Sequence, residues 1–236
     1  LKEIGESILR CLQEVSAERQ ARAVDPVLGQ RVAAIKQYQH ERFSRTYADL
    51  LAHKRYGGAA KFFLEDLYGP SDFSERDVQF ARVVPALLRL FPKELIATVA
   101  ELAALHALSE RLDSAMARAL PADPPIDDHR YALAWRAVGG VSDRERQITL
   151  MVSIGTALDR YTRNMLLRHS LRLMRGPAQA AGLAALQRFL ETGFDTFRAM
   201  GGAREFLTTI SIRERGLCAL LFDGGESRAA TAELPP

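Results

Sequence analysis

Apolar side chains recur every three or four residues along nearly the whole chain, and the β-branched alternation that marks strands is almost absent. That bias restricts what the polypeptide can become. A 3.6-residue period gathers such positions into one stripe, whereas a strand would send neighbours to opposite faces. The expectation is an all-α fold, a bundle of about eight to ten helices without a substantial β-sheet. Gly and Pro supply the breaks, and the pattern places helices near residues 2–22, 26–52, 55–68, 74–91, 92–120, 126–138, 142–175, 178–199 and 211–222. Ser74 with Asp77, Ser142 with Glu145 and Ser211 with Glu214 have the spacing of capping boxes. Pro121-Ala122-Asp123-Pro124-Pro125 is the clearest linker, either a domain boundary or a stiff connection inside one bundle. Residues 1–222 are read as a single helical domain, and 223–236, small and polar, as a disordered tail.

With 236 residues and 47% hydrophobic content, the chain can bury a sizeable core. No run approaches the roughly 18–20 apolar residues of a membrane span, so no transmembrane segment is expected. The first residues lack the basic-then-apolar order of a signal peptide. Cys11 and Cys218 stand near opposite ends, each without a neighbouring thiol or His. That excludes a sulfur-rich metal site, argues against a disulfide, and makes a reducing cytoplasm the simplest setting. The net charge of +3 dissolves on inspection: residues 1–124 hold 17 basic and 17 acidic side chains, and the remainder 15 and 12. So weak an excess argues against a nucleic-acid partner.

The most distinctive local pattern is Phe62-Phe63-Leu64-Glu65-Asp66-Leu67-Tyr68, stopped by Gly69-Pro70. On a regular helix Phe63 and Leu67 share one face, Leu64 and Tyr68 the adjoining one, and Phe62 lies with Asp66 toward the far side. Glu65, Asp66 and Tyr68 are therefore candidate ligand-binding residues, with an Arg such as Arg55 or Arg82 as anion clamp. The plainer reading makes the aromatics core and leaves the acids in water. The segment resembles the signature of the bacterial FFLEELY motif proteins, with Asp66 replacing the second Glu and keeping its charge. The resemblance spans seven residues and implies neither a substrate nor a catalytic residue.

Two further groups stand out. His106, Glu110 and Asp113 fall at i, i+4 and i+7 of one helix, so they share a face that could hold a ligand or keep the imidazole charged. No Glu-x-x-His, His-x-x-x-His or His-Glu-x-x-His accompanies them, so no metal and no cofactor is expected. Arg160, Arg168, Arg172 and Arg175 form a basic row that, on one continuous helix, would put Arg160, Asn164, Arg168 and Arg172 on a single ridge able to bind anions. The plainer reading here is that late arginines complement the negative end of a helix.

No phosphate loop, nucleophile elbow or dinucleotide fingerprint is present. The expectation is a cytoplasmic protein, leaning away from enzymatic activity, that binds a protein partner or itself. The alternative is an enzyme or ligand sensor with a pocket between helices, built from His106, Glu110 and Asp113 or from Glu65, Asp66 and Tyr68.

Overall fold

Twelve α-helices and one π-helical turn make up the described residues of the computed structural model, which are 1–67, 73–120 and 126–224. No strand occurs among them, and the all-α bundle is observed. The first half holds α1 (Lys2–Val24), α2 (Pro26–Thr46), α3 (Ala48–Ala52), α4 (Gly57–Phe62), the π turn (Phe63–Leu67), α5 (Ser74–Leu90) and α6 (Lys93–Ala119). The second holds α7 (Asp128–Val138), α8 (Val141–Thr162), α9 (Met165–Leu173), α10 (Arg175–Ala180), α11 (Ala184–Met200) and α12 (Arg204–Phe222). Tyr68, the Pro121–Pro125 linker and residues 225–236 of the expected tail lie outside the described residues.

Local chemistry explains most boundaries. Asp25 caps α2 by accepting from the amides of Val27 and Leu28, both at 3.1 Å, with Pro26 in the first turn where its missing N–H costs nothing. Asp127 caps α7 through the Arg130 amide at 2.8 Å. Gly139 and Gly140, at φ 65° and 77°, turn the chain between α7 and α8 in a region that side-chain-bearing residues avoid.

Several expectations are corrected. The helix read at 26–52 is interrupted at Tyr47, and the one at 55–68 becomes α4 followed by the π turn. The helix read at 142–175 stops at Thr162, because Asn164 accepts from the amides of Leu166 and Leu167 at 3.0 and 3.4 Å and starts α9 anew. The helix read at 178–199 is interrupted at 181–183, between the end of α10 at Ala180 and the start of α11 at Ala184. None of the three capping boxes caps a helix. Asp77 turns to His106, Glu145 reaches Arg215, and Ser211 lies inside α12, which starts at Arg204.

α6 runs through the centre and packs against α1, α2, α7 and α8. It meets three clusters of buried side chains. Ile8, Leu12 and Val84 close around Ile96 and Ala103. Leu28, Val32, Ile35, Tyr131 and Trp135 close around Met116 and Ala117. Tyr47, Phe63, Phe197 and Phe206 belong to the third cluster, which takes in Leu105. Both cysteines are free thiols.

Candidate functional site

The three members of the stripe on α6 are taken up by neighbouring helices: His106 by α5, Glu110 by α1 and α2, and Asp113 by α2. His106 Nε2 lies 2.8 Å from Asp77 Oδ2 on α5, and Arg19 Nη2 of α1 approaches the same oxygen at 2.6 Å. Glu110 takes Arg22 of α1 on one oxygen and Lys36 of α2 on the other, at 2.5 Å for the latter. Asp113 accepts from Gln39 Nε2 of α2 at 3.0 Å. Burial pushes the Glu110 carboxyl up, but Lys36 and Arg22 outweigh it and hold the group at about 2. Asp113 has no such pair, and burial raises its pKa. Glu110 and Asp113 are buried and inward-facing. They are the polar seam that fastens α1, α2 and α5 to the central helix.

A second set of buried charges was not legible in the sequence. Arg42 Nη1 and the Tyr47 hydroxyl both donate to Glu214 Oε1, at 2.5 and 2.7 Å, joining α2 to α12. Arg213 makes a two-point pair with Asp49 at 2.7 and 2.8 Å and donates to the Thr46 carbonyl at 2.9 Å. Arg144 lies with its guanidinium carbon 3.7 Å from the centroid of the Trp135 ring and donates to Gln147 at 3.0 Å. Nothing distinguishes these arginines from surface ones in a chain where Arg is abundant. The available signal was position, since Arg144 and Arg213 fall on the inward stripes of α8 and α12.

At the π turn the acids divide. Phe62, Phe63 and Leu64 are all buried, Glu65 is exposed, and Asp66 is half-buried. Phe62 was expected on the far side; it instead stacks on Phe189 of α11, centroids 5.5 Å apart. Gly193 permits this approach, because a Cβ there would stand 2.8 Å from Phe62 Cζ. The wider π turn shifts the register, so Asp66 faces a cleft of about 370 Å³ between the turn, the start of α5 and α11. Phe73, Glu75 and Arg76 line one wall, and Arg188, Phe189 and Thr192 the other. Arg76 packs over the rings of Phe73 and Phe189, at 4.1 and 4.4 Å from the centroids, and its Nη1 donates to the Asp66 carbonyl at 2.7 Å. Burial raises the Asp66 carboxyl, and neighbouring Glu65 adds to the rise.

The two suggested anion clamps are used elsewhere. Arg55 donates to the Met200 and Gly202 carbonyls at 2.7 and 3.1 Å, finishing α11, and Arg82 donates to the Ala181 carbonyl at 3.1 Å. The stripe at His106 and the cleft at Asp66 are separate places, touching only through the adjacent residues Arg76 and Asp77.

The arginine row is not one ridge. Arg160 ends α8, Arg168 and Arg172 lie on α9, and Arg175 opens α10. Arg168 and Arg172 both reach Asp195 of α11, at 2.8 and 3.8 Å, and Arg175 reaches Glu191 at 2.6 Å. Arg163 pairs with Asp159 at 2.7 Å. The Asp195 pairs hang α9 on α11 and the Glu191 pair does the same for α10, while large apolar side chains stand outward beside exposed His169 and Ser170. Met165, Leu166, Leu173 and Met174 are 61%, 77%, 66% and 52% exposed, and α9 has no buried residue.

Among the described residues no cluster of His, Cys, Asp or Glu is arranged to hold a metal, and no helix is long and apolar enough to cross a membrane. The family model described as Domain of unknown function (DUF8198) matches residues 18–228. No curated protein and no solved structure matches the chain.

Proposed function

We propose that this chain, which belongs to the family described as Domain of unknown function (DUF8198), is a binding protein that docks a partner protein on the outer face of α9. One observation carries the reading: four large apolar side chains on α9 and just beyond it stand in solvent, inside a rim of arginines. Isolated apolar residues on a surface need no explanation, but four exposed within the short segment 165–174, bordered by arginines, mark an interaction surface.

The rim selects the occupant. A second copy, paired about a two-fold axis, would set the same patch against itself and bring arginine against arginine. An anionic bilayer attracts through accumulated net charge, which Asp159, Asp195 and Glu191 largely cancel at Arg163, Arg168, Arg172 and Arg175. Those pairs fix the guanidiniums at defined points, which suits a partner presenting apolar side chains flanked by a few carboxylates.

The test is a photo-crosslinking side chain placed at Leu166 of the full chain, with a control at exposed Leu133 of α7. A single protein adduct is expected at 166 and none at 133. The Leu166→Glu/Leu173→Glu variant should then bind the purified adduct partner at least ~10-fold more weakly, which corresponds to about 1.4 kcal/mol. Its melting temperature should be unchanged, since neither side chain is buried. Adducts only with lipid, only with a second copy, or none at all would refute the reading.

Other attributes are proposed on narrower grounds. Residues Phe62–Tyr68 support membership among the bacterial FFLEELY motif proteins, and two free thiols support a cytoplasmic setting.

A further inference from the structure

The cleft at the π turn combines features that a packing defect would not. Its α11 wall is one helical face, Ala185, Arg188, Phe189 and Thr192, set three and four residues apart. Glu191, which pairs with Arg175 of α10, and Asp195, which pairs with α9, lie three residues beyond Arg188 and Thr192 and do not line the cleft, so cleft and docking face share α11 but no side chain. Its opposite wall brings Asp66 and Glu75 from two further elements. Cationic and anionic groups therefore face one another across a space large enough for a small metabolite.

The binding capacity of these groups is unspent. A guanidinium offers five N–H donors, and among the described residues Arg76 donates only through Nη1, to the Asp66 carbonyl. Its nearest carboxylate, Asp77 Oδ1, is 3.9 Å away, beyond hydrogen-bond distance. The guanidinium packs on the rings of both Phe73 and Phe189, so its donors are held in place before any ligand arrives. Arg188 is exposed and makes neither an ion pair nor a hydrogen bond among the described residues. The Asp66 carboxylate likewise accepts no hydrogen bond there, while Glu75 is occupied by Gln79 at 2.8 Å.

We infer that this cleft binds a small ampholyte of the amino-acid kind, its carboxylate taken by Arg76 and Arg188 and its ammonium by Asp66. The Thr192 hydroxyl, one turn beyond Arg188, completes the polar wall. The ring edges of Phe73 and Phe189 leave an apolar floor for a short side chain. Neither charge alone suits the site. A bare anion would meet Asp66 and Glu75, and a bare cation would meet both arginines.

The experiment is calorimetric titration of the full-length protein with each of the common free L-amino acids. Acetate, methylammonium and inorganic phosphate serve as single-charge probes. At least one amino acid is expected to bind more tightly than about 1 mM, the range reached by a ligand of so few atoms. Arg188→Gln and Asp66→Asn should each weaken that binding by at least ~10-fold, with circular dichroism and melting temperature retained because neither residue is in the core. Acetate, methylammonium and phosphate should each bind at least ~10-fold more weakly than the best amino acid. No binding by any amino acid would overturn the inference. So would binding indifferent to Arg188→Gln, or phosphate bound as tightly as the best amino acid. None of these outcomes bears on α9, where crosslinking at Leu166 decides separately.

Discussion

Glu110 shows how one side chain can look like chemistry and act as structure. Its spacing from His106 and Asp113 matched a ligand-binding stripe, yet Arg22 and Lys36 take both of its oxygens. The consequence is an acid-sensitive seam. The unfolded chain protonates this carboxyl near its ordinary 4.5, whereas the folded protein keeps it ionised down to about 2. Stability from this group is therefore fully present above pH ~5 and lost as pH falls toward ~2, amounting to about 3 kcal/mol. Asp113 acts in the opposite sense, because burial raises its pKa and protonation relieves a cost. Glu110→Gln should lower stability at pH 7 by about 3–5 kcal/mol, since it strands two cations in a mostly buried site. It should also flatten the loss of stability between pH 5 and pH 3. Urea unfolding of both proteins across that range is the measurement, and parallel curves would contradict the assignment. No residue-level pattern foretold the pairing, because Arg22 and Lys36 lie 88 and 74 positions away in the chain.

Single elements were legible where the chain announces its own breaks and obscure where tertiary contacts set them. Asp25-Pro26 and Gly139-Gly140 punctuate helices by local chemistry, and both ends were placed within a residue or two. Asn164 was misread because Asn is tolerated inside helices, and a long run of helix formers continues on either side of it. The π turn was invisible for another reason. Its extra residue is favoured by Phe62 stacking on Phe189 across from Gly193, a contact between segments that the sequence does not pair. Hence the sequence singled out Asp66 as a candidate but not Arg76, Arg188 and Thr192, which line the same cleft. The break at Asn164 gives an element-scale prediction. Asn164→Ala removes the acceptor for two amides and should cost about 1 kcal/mol, seen as a lower melting temperature. If α8 and α9 were one continuous helix, the better helix former would leave stability equal or higher.

At the scale of the molecule the three buried clusters are three in name, because α6 passes through all of them and other rods run from one into another. α6, 27 residues and about 40 Å long, gives Ile96 and Ala103 to one cluster, Leu105 to another, and Met116 and Ala117 to the last. α12 gives Phe206 and Ile210 to one cluster and Leu217 and Leu221 to another, and α2 likewise supplies both Phe43 and Ile35. Melting one cluster alone would leave half of such a helix without its packing partner. A helix half that long is marginal in water without tertiary support. The helical period made the rods legible, but it could not say which rods share a core, and that sharing decides whether the proline-rich linker separates two folding units. Trp135 sits in the cluster of α2, α7 and α12, so its fluorescence reports that region alone, while far-ultraviolet circular dichroism reports every helix. Equilibrium urea unfolding should give coincident curves by the two probes, with one midpoint and one slope. Two separated transitions, with Trp135 released in one and half the helicity persisting to the other, would mean that α6 is a hinge between domains and not the axis of one.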